Sequence, residues 1–239
     1  MRAIIVMFGV LLLSGCATDG SAPWMPFPVA GSSCSKASSE QELVLSQAQS
    51  MADEGRLHAS LANLEGLPDT LGEVRLRKAR VLRQLGRSDA EPLYRSLLGT
   101  CLAAEGEHGL GQIAAARGDN NQALAHLVSA AKLAPTDEKV RNDLGVVYLN
   151  QLKLDKARFE FLTAIELKQS DTLAATNLVT LLIYQDNWQQ AAELVSKLGL
   201  TPEQVSDAQA RAEKLKGPVS KVATPPAQVA AMIYTPTVK

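Results

Sequence analysis

The chain has 239 residues, with 24 basic against 25 acidic side chains and a formal charge of −1. So near-neutral a balance offers no basic face for nucleic acid. Aromatic content of 4% with abundant alanine and leucine points to packing by helix pairs rather than sheets, in a chain long enough for one elongated domain with a sizeable core.

Residues 1–15 read as a leader to be set aside before any fold reasoning. Arg2 precedes an uncharged apolar run, Ala3 to Leu13, too short to span a bilayer as a mature helix. The run ends in Leu13-Ser14-Gly15-Cys16, which resembles the lipobox of bacterial lipoproteins. That resemblance implies cleavage before Cys16, a diacylglycerol thioether on its sulfur and an acylated amino terminus. The other reading is an ordinary signal peptide with an incidental cysteine. Several acyl chains anchor firmly where one is reversible. Ala17, not Asp, follows the cysteine, and the lipoprotein sorting rule then implies the inner, periplasm-facing leaflet of the outer membrane. Losing Arg2 from 24 basic against 25 acidic residues moves the charge to −2.

Residues 16–40 are expected to be the lipidated cysteine and a flexible tether, since Pro23, Pro26, Pro28 and a cluster of serines show no helical or alternating period. Trp24 and Phe27 are unusual in such a tether. They rest on lipid or a partner, or are simply loose.

Residues 41–216 read as helical hairpins at roughly 41–69, 70–103, 104–137, 138–171 and 172–200, with a capping helix at 202–216. In the first, Ala48 and Met51 lie on one helix, Gly55 at the turn, and Leu64 and Leu67 on the second helix, ended by Pro68. The second has Ala79 and Leu82, a turn at Gly86, then Ala90, Tyr94 and Leu97, with Pro92 tolerable in the first turn of a helix capped near Ser88 or Asp89.

The third and fourth hairpins carry the pattern most clearly. Leu110, Gly111, Ala123, Ala130 and Leu133 recur 34 residues later as Leu144, Gly145, Ala157, Ala164 and Leu167, and Leu127 is answered by Phe161. Apolar residues fall at helical spacing on either side of turns at Gly118 to Asn120 and Leu152 to Leu154. Small residues let the helix backbones approach, and Leu or Phe fills the grooves between them. With Ala104 and Glu138 as first places, Leu-Gly falls at places seven and eight, Tyr148 at eleven, Ala at twenty and twenty-seven, Phe161 at twenty-four and Pro135 at thirty-two. In this it resembles the tetratricopeptide repeat, although Gln169 replaces the second proline and Glu107 and Arg141 stand where that family often has tryptophan. The resemblance implies an all-α tetratricopeptide-repeat solenoid of about five helical hairpins with a C-terminal capping helix.

Leu178, Leu182, Trp188 and Ala191 mark the fifth hairpin, with Asp171 as the expected cap of its first helix. Thr201-Pro202-Glu203-Gln204 is a helix start of cap, proline and a glutamine three residues on. The charged helix that follows suits a repeat array, which needs a polar outer face at its end. Residues 217–239 carry Pro218, Pro225, Pro226 and Pro236 and are expected to be mostly disordered. Val229 to Tyr234 is apolar enough to bind something, the other reading being a free tail.

No chemistry stands out beyond this framework. His58, His108 and His126 lie in different helices with no cysteine or carboxylate at ligand spacing, which argues against a metal site. Gly106, Gly109 and Gly111 follow no strand and do not form a phosphate loop. No nucleophile with a base can be assembled, so no enzyme, cofactor, nucleic acid or small-molecule substrate is expected.

Cys34 and Cys101 invite a different reading, because an oxidising periplasm permits disulfides. Connections between repeats share one edge, and helices stacked about 10 Å apart put Cys101 on the order of 20 Å from the start of the first repeat. Six or so extended residues at about 3.3 Å each cover that distance. A Cys34–Cys101 bridge would then pin the tether across the two weakest repeats; two independent thiols are the alternative.

The repeat family's inner face uses places two, five, nine, twelve and thirteen of each first helix. Carried over by position, these are His108, Gln112 and Ala115, then Lys139, Asn142, Val146, Leu149 and Asn150, then Leu173, Thr176, Thr180, Ile183 and Tyr184. Amide and apolar groups with one charge suit an extended or helical peptide. Leader, tether and repeat body together resemble the Flp/Tad pilus assembly lipoproteins of the TadD family. That resemblance implies a lipid-anchored periplasmic adaptor whose partner is an outer-membrane secretin or another pilus component, with a pilotin-like role in secretin localisation or assembly. A lipoprotein of another envelope machine is the alternative: type IV pilus pilotin, outer-membrane protein assembly factor or peptidoglycan-hydrolase adaptor.

Overall fold

The computed structural model describes residues 34–170, 172–217, 225, 229 and 230. The leader, the lipidation expected at Cys16, Trp24 and Phe27, the cap expected at Asp171 and most of the tail lie outside the described residues.

Capping chemistry sets where several helices begin. Ser38 opens α1 (Ser39–Asp53) through a reciprocal box, its hydroxyl accepting from the Gln41 amide at 3.3 Å while its amide donates to Gln41 Oε1 at 2.8 Å. After α2 (Leu57–Glu65), α3 (Gly72–Gln84), α4 (Ala90–Arg95) and α5 (Ala103–Ala116), the Asp119 carboxylate caps α6 (Asn120–Leu133) and that of Asp137 caps α7 (Glu138–Asn150). Then come α8 (Leu154–Leu167), α9 (Thr172–Tyr184) and α10 (Trp188–Leu198). α11 (Pro202–Lys216) starts on a second reciprocal box between Thr201 and Gln204, as its sequence predicts.

The described fold is all-α, a stack of five hairpins closed by α11. Each odd helix packs on the even helix after it, and α1, α3, α5, α7, α9 and α11 also pack in succession on one another. The core falls into consecutive clusters, one from α1 to α5, one centred on Leu127 and Leu144, and one from α7 to α11 centred on Phe161, Leu181 and Ile183. Gly109 is buried against the Tyr94 ring, and a Cβ on Gly111 would come within 2.6 Å of Leu127 Cγ. These glycines therefore serve helix packing.

The turn inside each hairpin needs one left-handed residue. Gly118 supplies it in the third at φ +80°, but Leu152 and Asp186 hold the same place in the fourth and fifth at +55° and +57°. Two helices are shorter than the apolar pattern predicts. α2 ends at Glu65, before Leu67, and α4 ends at Arg95, before the fully buried Leu97. Beyond Arg95 the backbone tightens to bonds three residues apart, and the Ser96 and Thr100 hydroxyls donate to the Leu93 and Leu97 carbonyls at 2.7 Å each, competing with the helical ladder. Asp89 sits at the start of α4 without capping it, because its carboxylate holds Arg87 at 2.6 and 3.2 Å. In the tail, Val229 and Ala230 are helical and Val229 is only 8% exposed, so the chain at this point is docked on the body.

Candidate partner-binding face

The odd helices place a line of polar groups across successive repeats. On α5, His108 Nε2 lies 2.7 Å from Asp143 Oδ2, to which Gln112 Nε2 also donates at 2.7 Å. On α7, the Asn142 amide donates to the other Asp143 oxygen at 3.2 Å. Asn177 of α9 donates to Asn142 Oδ1 at 2.7 Å, and the Arg211 guanidinium of α11 donates to Asn177 Oδ1. Asn142 and Asn177 are buried; each link satisfies a group that would otherwise lose its water without replacement.

Electrostatics follow from that geometry. Burial pushes the Asp143 carboxyl up, but the His108 ring and the amides of Gln112 and Asn142 outweigh it and hold the group below the ordinary carboxylate range. Burial lowers the Arg211 guanidinium, opposed by nearby Asp207. A second pair sits in the third repeat, where His126 Nδ1 lies 2.6 Å from Glu107 Oε2.

This arrangement adds to one sequence expectation and corrects another. Two of the three histidines do have carboxylate partners, found across helices 35 and 19 residues away rather than at local spacing. Among the described residues no three metal-ligating side chains converge. The inner face is also less open than position alone implies. Asn142, Leu149, Thr176, Thr180 and Ile183 are buried, with Thr180 and Ile183 fully so. The physical reason at the fifth repeat is the close packing of α11 on α9, sealed by Gln204 Nε2 to Thr172 Oγ1 at 2.7 Å and by Lys216 on Asp186 at 2.8 Å. Thr176 and Thr180 turn their hydroxyls back onto the Thr172 and Thr176 carbonyls.

What stays accessible is concentrated on the third and fourth repeats. His108, Gln112, Ala115 and Val146 are half-buried, and Lys139 and Asn150 are exposed, with Asn150 3.5 Å from Asn120 Oδ1. On the fifth repeat, Leu173 remains 55% exposed beside a shallow depression shared with Asp207 and Ala210, and Tyr184 is half-buried with Lys216 Nζ 5.9 Å from its ring. Asp143, Asn177 and Arg211 were not foreseen as members of the face. The signal was available, since they are 34 residues apart in turn, but Gly109 holds that place in the third repeat and hides the series.

Cys34 and Cys101 form a disulfide with their Cα atoms 5.7 Å apart. Cys34 packs on the cluster of the first repeats, beside Leu102 and the start of α3. Among the described residues no helix is long and apolar enough to cross a membrane.

No protein-family profile matches the sequence. It is 42% identical over 214 residues to the TPR repeat-containing protein PA4299 of Pseudomonas aeruginosa, covering 89% of this chain and 85% of that protein. The fold is similar to that of pilF from Pseudomonas aeruginosa, with TM-score 0.58, 17% identity, and 75% and 93% of the two chains covered. It is similar as well to TTC0263, a thermophilic TPR protein of Thermus thermophilus, with TM-score 0.56, 21% identity, and 73% and 98% covered. Repeats of this kind bind protein partners, and by its 34-residue period, its stacked hairpins and its likeness to a relative along most of both lengths, the chain belongs to the tetratricopeptide-repeat proteins.

Proposed function

We propose that this protein is a lipid-anchored periplasmic adaptor of Flp/Tad pilus biogenesis, similar in role to TadD, that binds an outer-membrane secretin and assists its localisation or assembly as a pilotin does. The observation that carries the binding role is the accessible stretch of inner face on the third and fourth repeats, where His108, Gln112, Lys139, Val146 and Asn150 stand around the half-buried Asp143 and the buried Asn142–Asn177 pair. Amides and an imidazole fixed on rigid helices can meet a peptide backbone, and Val146 can hold an apolar side chain. The anchoring part of the reading is supported by Leu13-Ser14-Gly15-Cys16, and the pilus assignment by the order of leader, tether and repeat body. The fold shared with pilF is compatible with it.

Deletion of the gene, complemented with wild type or with Cys16→Ser, tests the proposal in cells. Deletion is expected to lower secretin multimers and surface pili, and Cys16→Ser to shift the protein off the outer membrane and rescue poorly. Normal secretin multimers in the deletion strain would overturn the pilotin role. Globomycin separates the anchor from the partner, since an unchanged precursor size in treated cells removes the lipidation alone.

A further inference from the structure

α11 keeps the register of the repeats before it. Side chains of successive first helices meet at separations of 31 and 35 residues for Gln112 and His108 on Asp143, and 35 for Asn142 on Asn177. α11 continues that series with Gln204 on Thr172 at 32 and Arg211 on Asn177 at 34. It therefore stands where the first helix of a sixth repeat would stand, not merely as a lid on the fifth.

The second half of that repeat is marked by one residue. Leu127, Phe161, Val195 and Val229 are each 34 residues apart, and all four are buried, at 0%, 0%, 4% and 8% exposure. Val229 and Ala230 are helical, and Val229 joins the cluster that holds Ala191, Val195, Val205, Ala208 and Ala212. Twelve residue steps separate Gly217 from Val229, a reach at about 3.3 Å each that exceeds the roughly 22 Å length of a 15-residue helix.

The closure of this unit is weaker than that of its neighbours. In the third and fourth repeats place eight is Gly111 or Gly145, in close contact with Leu127 or Phe161 at place twenty-four. In the fifth, the pair becomes Val179 and Val195, both buried. In the sixth, place eight is Glu213, exposed and accepting from Gln209 at 3.1 Å. A carboxylate cannot be buried against Val229 without a large desolvation cost.

We propose that the end of the array formed by α9, α10 and α11 is a docking surface for a short aliphatic helical segment, and that the chain's own C-terminal segment occupies it in cis through Val229. From Ala230 the sequence continues apolar, Ala230-Ala231-Met232-Ile233-Tyr234. The residues that Val229 joins, Ala191, Val195, Val205, Ala208 and Ala212, are none of those assigned to the secretin, so either assignment can fail without the other.

The test uses the full chain and a fluorescein-labelled peptide of residues 225–239, followed by anisotropy. Val229→Asp is expected to empty the surface, so that the variant chain binds the peptide at least tenfold more tightly than wild type does. A peptide carrying the same substitution should bind neither chain. Hydrogen exchange of α11 amides should quicken in Val229→Asp while α5 to α8 are unchanged, and should slow in Glu213→Val. Peptide binding to neither chain, or to both equally, overturns the proposal. If Val229→Asp loses its helical circular dichroism, the Glu213→Val arm decides, and unaltered exchange in α11 there overturns it as well.

Discussion

Gly145 and Phe161 are in such close contact that a Cβ built on the glycine would lie 2.6 Å from Phe161 Cε1. The relationship holds the fourth hairpin together, because the ring is fully buried and fills the groove that the missing side chain leaves. Gly145→Ala should overpack this contact and lower stability by about 1–3 kcal/mol. Equilibrium urea unfolding would show it as a lower midpoint, and an unchanged midpoint would mean that the hairpin relaxes without cost.

Leu152 holds a left-handed backbone at φ +55° while 50% exposed, so its side chain gains little and its Cβ is strained. Leu152→Gly should raise stability by about 0.5–1 kcal/mol, the relief of left-handed strain less the extra freedom of glycine in the unfolded chain. Thermal unfolding compared with wild type is the measurement. Asp186 is a poorer site for the same change, since Lys216 holds its carboxylate at 2.8 Å.

The Asp143 carboxyl is held below its ordinary range in the folded protein. A lowered folded value means that the ionised form stabilises the fold. This contribution is complete above the unfolded value of about 3.9 and is lost as pH falls through the folded one. Asp143→Asn should therefore flatten stability against pH on the acid side of about pH 4. A denaturation series from pH 2.5 to 7 on both chains reads this out.

The Cys34–Cys101 bridge closes a sequence separation of 67 residues and ties the start of the body to the connection before α5. Its loss in Cys34→Ser/Cys101→Ser should cost about 2–4 kcal/mol. Amide exchange should quicken first in α1 to α4, whose cluster it borders, and least in α7 to α10. Equal exchange in both halves, or identical electrophoretic mobility with and without reductant, would contradict a structural role.

The hairpin order, the Thr201–Gln204 helix start and the close-packed glycines could all be read from the chain. Each depends on residues within one 34-residue unit, where small side chains at fixed places permit only one way for two helices to meet. The ends of α2 and α4 were not legible, because hydroxyls of Ser96 and Thr100 and the tightened backbone around Leu97 decide them locally against the apolar pattern.

By itself, the sequence determined that this protein is a stack of helical hairpins, since burial of one apolar stripe per helix at a constant period has no other compact solution. Tertiary structure alone decided which inner-face residues stay open and which charges find partners. Asp143 with His108, Asn177 with Asn142 and the closing of Thr180 and Ile183 beneath α11 all depend on how one repeat is seated on the next. That seating sums many weak contacts between residues more than thirty positions apart, and no local spacing encodes it.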